Sequence, residues 1–135
     1  MATVTATLQL ASTDLLSDAL NTSVVANIAN MDVTSGMARK KVTSTAKGTP
    51  SGQVSVYTAD DFGSTYPAYI YVKNTNETRT NYIYIYSDTA ADDPVVFKLA
   101  GGEWAFLPAP SDENFKAYAT AGTEILEFMT FGASS

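Results

Sequence analysis

The sequence contains no cysteine and no histidine among its 135 residues. Their absence excludes disulfide bonds, structural zinc, haem and iron–sulfur ligation, and catalysis by imidazole or thiolate. Charged residues are also scarce, at 16% against about 25% in an average globular protein. The side chains that remain do not specify a reaction. We therefore expect a protein that is not an enzyme, with no catalytic residues, no cofactor and no metal.

The net charge is −6, and the acids are concentrated in the second part of the chain. Residues 51–135 carry eleven acidic and four basic side chains, whereas residues 1–50 carry three and four. An acidic protein repels phosphate backbones, so we expect no nucleic-acid partner. No apolar run approaches the roughly 18 residues of a membrane span, and the first residues do not resemble a signal peptide. We accordingly expect no membrane contact, and synthesis in a cytoplasm.

The composition favours β-structure. Thr, Val and Ile number 33 and the aromatic residues 15, together 48 of 135, and such side chains suit the half-buried surface of a sheet. The sole helix candidate is 12–20, which is short enough to be a turn or a loop instead. The sequence thus predicts an all-β protein.

Strict alternation is clearest at residues 3–10, where Val4, Ala6, Leu8 and Leu10 share one face. Seven to nine short strands at this spacing predict an antiparallel β-sandwich of jelly-roll type. We expect one domain overall, with residues 1–20 as an N-terminal strand or arm and residues 21–135 as the sandwich. Further strand candidates are 21–29, 39–45, 53–58, 69–73, 82–86, 95–99, 103–107 (ended by Pro108), 114–120 and 123–131.

Two strand candidates in the middle of the chain alternate tyrosine with aliphatic residues. A hairpin that pairs Val72 with Ile83 would also pair Tyr71 with Tyr84 and place the aliphatic residues on one face. The opposite face would then carry five tyrosines, namely Tyr69, Tyr71, Tyr82, Tyr84 and Tyr86.

Three interpretations of this tyrosine face stay open. A second sheet or the loop around Tyr66 and Pro67 could cover it, it could be a subunit or partner interface, or it could stack on sugars. In the last strand Leu126 and Phe128 share one face, while Ile125, Met129 and Phe131 share the other with Glu127. Glu127 should find a partner or lie at an edge. The candidate interface comprises Tyr69, Tyr71, Tyr82, Tyr84, Tyr86, Phe128 and Phe131.

Acidic pairs occur at Asp60–Asp61, Asp92–Asp93 and Asp112–Glu113. Adjacent residues in polar loops point apart and stay solvated, whereas a glycosidase needs two carboxyls across a cleft. Asp88, Asp92 and Asp93 offer oxygen ligands, but their spacing does not match a calcium-binding EF-hand loop. Solvated turns are the favoured interpretation.

A pattern of strands and turns covers about half of the chain, in the segments 71–75 (YVKNT), 81–85 (NYIYI), 99–108 (LAGGEWAFLP), 116–120 (KAYAT) and 122–128 (GTEILEF). This pattern resembles small virion structural proteins of tailed bacteriophages. The resemblance implies a β-sandwich that assembles as an oligomer on the particle, as a capsid decoration (cement) protein or as a tail or neck accessory. It implies no catalytic motif.

We therefore expect a non-enzymatic virion protein, made in the host cytoplasm, that clamps neighbouring major capsid subunits or binds another virion protein. A homo-oligomer is expected, with a trimer favoured, and the N-terminal arm is expected to reach a neighbour. The alternative is a tail- or surface-associated carbohydrate-binding module, similar to an adhesin, that uses the tyrosine face.

Overall fold

A computed structural model describes residues 2–15, 19–31, 33–62, 68–88, 94–110 and 112–133. Within these residues the chain is all-β, as the composition predicts, with antiparallel strands and no helix beyond the short 3₁₀ turn Ala59–Asp61. The helix candidate at 12–20 is wrong at both ends, because Ser12 ends one strand and Leu20 begins the next. Residues 16–18 lie outside the described residues.

The described residues form eleven strands rather than seven to nine. The two-residue strand β3 is too short to produce a recognisable sequence pattern. The strands are β1 (Val4–Ser12), β2 (Leu20–Ile28), β3 (Val33–Thr34), β4 (Ala38–Val42), β5 (Val54–Tyr57), β6 (Ala68–Asn74), β7 (Ile83–Ser87), β8 (Val95–Leu99), β9 (Trp104–Ala109), β10 (Phe115–Ala119) and β11 (Glu124–Gly132).

The strands make two large sheets and a separate two-stranded hairpin of β1 and β2. Sheet I has the order β3-β11-β6-β9, and β4 also pairs with β11. Sheet II has the order β5-β10-β7-β8. Because β4 pairs with Glu124–Phe128 and β3 with Phe131–Gly132, β3 and β4 follow one another along the same edge of β11.

One hydrophobic core joins the inner faces of both sheets. Sheet I contributes Ile70, Val72 and Leu126, and sheet II contributes Ile83 and Ile85, all at most 1% exposed. The alternation is visible along β6, where every second residue is buried and those between are half-buried. Period-two patterning therefore determines which side of each strand enters the core.

The hairpin predicted between the two tyrosine-rich strands is wrong. β6 pairs with β9 and β11, whereas β7 pairs with β8 and β10 in the other sheet. The segment between β6 and β7 connects one sheet to the other, and the buried Asn74 stabilises this connection through its side-chain hydrogen bonds. Its side-chain amide donates hydrogen bonds to the carbonyls of Asn81 (3.0 Å) and Leu99 (3.1 Å).

Gly101 and Gly102, which follow β8, form a turn that also connects the two sheets. Gly102 has a positive φ of 84°, as expected for a tight turn, and the Glu103 N–H donates to the Ala100 carbonyl at 2.9 Å. A Cβ on Gly101 would collide with the carbonyl of Thr78. The turn connects β8 of sheet II to β9 of sheet I, so these two consecutive strands do not pair with each other.

Strand β9 continues through Pro108 to Ala109, although Pro108 was expected to stop it. β9 is an edge strand of sheet I and pairs with β6 on one side only. Proline lacks an N–H donor, but an edge strand tolerates this wherever that position faces away from the ladder.

The neighbours Leu126 and Ile125 provide a direct test of this core. Leu126 is 0% exposed and Ile125 is 43% exposed on the opposite face of β11. Leu126→Ala should lower the free energy of unfolding by about 2–5 kcal/mol because it leaves a cavity, whereas Ile125→Ala should change it by about 0.5 kcal/mol or less. Urea unfolding measures both values, and equal losses would contradict the assignment of the faces.

Candidate functional site

The β1–β2 hairpin, here called the hairpin arm, has one apolar and one polar face. Val4 lies opposite Ile28, Ala6 opposite Ala26 and Leu8 opposite Val24, and directly opposed residues share a face. The sequence prediction that Val4, Ala6, Leu8 and Leu10 share one face is confirmed. The other face carries mainly threonine, serine, glutamine and asparagine.

The hairpin arm contacts the rest of the molecule at its base. Val4 and Ile28 pack against Met31 and Phe131 on the outer face of sheet I, and the Met31 N–H donates to the Ala2 carbonyl at 3.0 Å. Neither strand of the arm pairs with sheet I or sheet II. The arm runs to Ile28, beyond the boundary placed at residue 20, and the division into arm and sandwich stays a prediction.

Beyond its base the hairpin arm diverges from sheet I and leaves an apolar cleft of about 780 Å³. On the arm side the cleft is lined by apolar residues of both strands and by two threonines of β1, namely Val4, Thr5, Ala6, Thr7, Leu8, Val24 and Ala26, and Met37 also contributes. The sheet side, here called the aromatic wall, consists of Tyr71, Trp104, Phe106, Met129 and Phe131.

Ring stacking holds the aromatic wall in place. Phe106 stacks on Tyr69 at 5.7 Å and on Phe131 at 5.9 Å between ring centroids. Tyr69 and Phe131 are themselves 5.9 Å apart. These rings come from β6, β9 and β11, which are adjacent in sheet I. These ring contacts therefore link the three strands in addition to the backbone ladder beneath them.

An ion pair marks the polar border of the aromatic wall. The Arg39 guanidinium lies 2.6 Å from the Glu127 carboxylate, and the Tyr71 hydroxyl donates to the same carboxylate at 3.1 Å. The expectation that Glu127 finds a partner is confirmed. The Arg39 hydrogen bond is the main cause that lowers the pKa of Glu127, while burial is the main cause that raises the pKa of Tyr71.

A second aromatic group lies on the outer face of sheet II. Tyr84 stacks on Tyr118 with centroids 4.8 Å apart and planes 9° from parallel. Tyr82 lies beside Tyr84 at 6.4 Å, and the Lys98 ammonium is 4.7 Å from the centre of the Tyr82 ring. Tyr84 and Tyr118 thus cover a face of one another, and those faces are not open for stacking on a sugar.

The structure divides the candidate interface between several environments. Tyr69, Tyr71 and Phe131 belong to sheet I, whereas Phe128 is part of the shared core. Tyr86 is fully buried and its hydroxyl donates to Gln53 at 2.9 Å, so the proposed single tyrosine face does not exist. Tyr66 and Pro67, proposed as its cover, lie outside the described residues. A role of these side chains at an interface stays a prediction.

The sequence places Met129 and Phe131 on one face of the last strand, but it does not reveal that they join Trp104 and Phe106 in one surface. Trp104 and Phe106 alternate along β9, and Met129 alternates with Phe131 along β11. The alternation was detectable, but it does not reveal that β9 and β11 flank β6. On the arm, Val24 and Ala26 were missed as partners of Leu8 and Ala6 because 21–29 has apolar residues on both faces.

The described residues offer no cluster of three or more acidic side chains able to hold a metal ion. Asp92 and Asp93 of the calcium interpretation lie outside those residues, and Asp88 forms an ion pair with Lys116 at 2.5 Å. In the same part of the chain, no helix has the length and apolar character needed to cross a membrane.

Comparisons with known proteins found no match: no family model, no curated protein and no solved structure is similar to this chain. We therefore infer its function from the hairpin arm, the aromatic wall and the topology.

The Glu127 site predicts a specific pH dependence of stability. A carboxyl whose pKa is lowered by folding stabilises the fold above its unfolded pKa, and this contribution is lost as the pH falls through the folded value. Glu127→Gln should therefore show a smaller loss of stability than the unaltered protein as the pH falls below about 4.

Urea midpoints between neutral and acid pH measure this difference. Glu77→Gln is the matched control, because Glu77 is an exposed loop residue, and its curve should parallel that of the unaltered protein. Parallel curves for Glu127→Gln as well would show that the Arg39 pair has no part in acid stability.

Proposed function

We propose that this chain is a non-enzymatic structural protein of a bacteriophage virion, most specifically a capsid decoration protein that stabilises the shell through several contacts. The observation that carries this proposal is the hairpin arm, which extends an apolar face from the body above an apolar wall. Leu8, Leu10 and Val24 on this face are 43–54% exposed. A contiguous apolar surface of this kind on a monomer marks a site of protein association.

The strand order supports a jelly-roll β-sandwich as the finer description of the fold. If β3 and β4 count as one edge strand, the pairings are nested: β4 with β11, β5 with β10, β6 with β9 and β7 with β8. One long antiparallel hairpin wrapped over itself produces this pattern. Jelly rolls are frequent in viral capsid proteins and in lectins, so the fold suits both the proposed role and its alternative.

Charge supports assembly over catalysis. Strands β1 and β2 contain no Asp, Glu, Lys or Arg, although the chain has a net charge of −6. An uncharged arm can be desolvated against another protein without the cost of burying an ion. The proposed partners are the major capsid protein or another virion protein, together with further copies of this chain, and the proposed location is the virion.

Fractionation of phage particles from cells that carry the gene tests this proposal. The chain should migrate with intact particles in a density gradient, and deletion of residues 1–12, which removes β1, should reduce the bound amount by roughly tenfold or more. Ser23→Asn on the polar face is the matched control and should bind normally, because Ser23 lies opposite Gln9 and does not line the cleft. Recovery of the full-length chain only in the free-protein fractions, or unchanged binding after the deletion, would contradict the proposal.

The carbohydrate-binding alternative predicts a different result. Binding to a glycan array should be lost in Tyr84→Ala and Tyr71→Ala variants if tyrosines stack on sugars. We expect no glycan binding to depend on Tyr84, because Tyr118 covers one face of its ring at 4.8 Å. Loss of a measured glycan signal in Tyr84→Ala, with an unchanged unfolding midpoint, would replace the assembly proposal.

A further inference from the structure

The cleft between the hairpin arm and the aromatic wall belongs to one molecule and is closed at the base of the arm. Val4 and Ile28 pack there against Phe131, so the two surfaces meet at the base and separate further along the arm. The cleft volume of about 780 Å³ falls within the roughly 300–1,000 Å³ of clefts that bind small molecules. A small ligand in this cleft would contact both surfaces at once.

The lining of the cleft suits an apolar chain better than a peptide. None of the described lining residues carries a charge, and their polar side-chain groups are three hydroxyls and one indole N–H. Two of these hydroxyls already have partners, because Thr5 donates to Asn27 at 3.1 Å and Tyr71 donates to Glu127. A peptide backbone would bury N–H and carbonyl groups without enough partners in the lining, whereas an alkyl chain needs none.

The border of the cleft is a row of charged side chains on the outer face of sheet I. Glu127 lies between Arg39 of β4 and Lys73 of β6, and Lys73 lies opposite Trp104 of β9. Directly opposed residues share a face, so these side chains form one row across four strands. Trp104 also lines the cleft, and the row therefore borders it.

This row presents positive charge to the solvent, although the chain has a net charge of −6. Arg39 pairs with Glu127, and the Arg39 side chain is 70% exposed while that of Glu127 is 12% exposed. Lys73 is half-buried and adds a second cation. Such a lysine lays its alkyl stem on apolar surface and keeps its ammonium in water. An anionic group at the end of an apolar ligand would therefore meet the Lys73 ammonium.

We propose that the cleft binds one molecule of a single-chain amphiphile with an anionic head, namely a free medium-chain fatty carboxylate. The alkyl chain lies between the hairpin arm and the aromatic wall, and the carboxylate lies at Lys73 beside Trp104. The ligand also covers Leu8 and Val24, which line the cleft and are 43% and 54% exposed. The inference does not rest on the proposed function, because a chain that binds no particle would bind this ligand in the same way.

Fluorescence of Trp104 tests the inference directly. Trp104 is the sole tryptophan of the chain and lines the cleft, so it reports the ligand without an added probe. Titration with dodecanoate below its micelle concentration should give a saturable change. Decanoate and octanoate should bind about three- to fourfold more weakly for each methylene removed. A change that does not saturate, or an affinity indifferent to chain length, would overturn the inference.

Lys73→Gln tests the position of the carboxylate. This change should weaken dodecanoate binding by roughly tenfold and leave the binding of neutral dodecanol unchanged. Lys98→Gln is the matched control, since it removes the same charge from the outer face of sheet II, where Lys98 lies over the Tyr82 ring. An equal loss in Lys98→Gln, or a Lys73→Gln variant that binds dodecanoate normally, would contradict the proposed site.

Ala26→Phe tests the position of the alkyl chain, because it fills the cleft from the arm side. The added ring displaces several methylenes, so dodecanoate and dodecanol should both bind roughly tenfold more weakly or worse. Ser23→Phe is the matched control, since Ser23 lies opposite Gln9 and does not line the cleft. Calorimetric titration measures both variants, once their urea midpoints match that of the unaltered protein. Normal binding by Ala26→Phe would place the chain elsewhere and overturn the inference.

Vesicles of phosphatidylglycerol distinguish a free ligand from a lipid surface. The protein should stay in the supernatant when these vesicles are sedimented, because the cleft takes a single chain. Co-sedimentation without saturable binding of monomeric dodecanoate would assign the cleft to a membrane surface instead. Particle binding has its own test, so a failure of dodecanoate binding would leave the proposed function standing.

Discussion

The two-residue period of the β-strand is the constraint on which both surfaces of this molecule depend. Along β6 the side chains of Ile70 and Val72 enter the core, and this alone places Tyr69 and Tyr71 on the outer face. β11 repeats the arrangement, with Leu126 inside and Met129 outside. The same alternation that builds the core thus also builds the aromatic wall, and neither could change sides without the other.

Local patterning was sufficient to predict most strands and their inner faces. It did not predict which strands pair with each other. Because β6 and β7 alternate in the same way, the pattern favoured a hairpin between them that does not form. Whether two such strands pair or cross depends on the connection. Here the buried Asn74 side chain donates to the carbonyls of Asn81 and Leu99 at the point where the chain crosses to the other sheet. A buried, fully bonded amide is a tertiary feature that periodicity does not encode.

The hairpin arm shows a second limit of prediction from the sequence alone. The alternation of β1 was evident, but β2 has valine on both faces, at Val24 and Val25, and reads as a weak strand. Pairing with β1 decides which of these valines belongs to the apolar face. The aromatic wall is harder still to predict, because Trp104 and Met129 meet only through β6, which separates their strands in sheet I.

The aromatic wall ends at a polar border, and this border limits which surfaces can cover its apolar part. Along β11 the outward side chains change from Phe131 and Met129 to Glu127, where Arg39 neutralises the carboxylate at 2.6 Å. A paired carboxylate at the rim adds little attraction to a ligand, yet an apolar surface laid over it would remove its remaining water at a cost. An occupant of the cleft therefore gains by covering Met129 and by stopping short of Glu127.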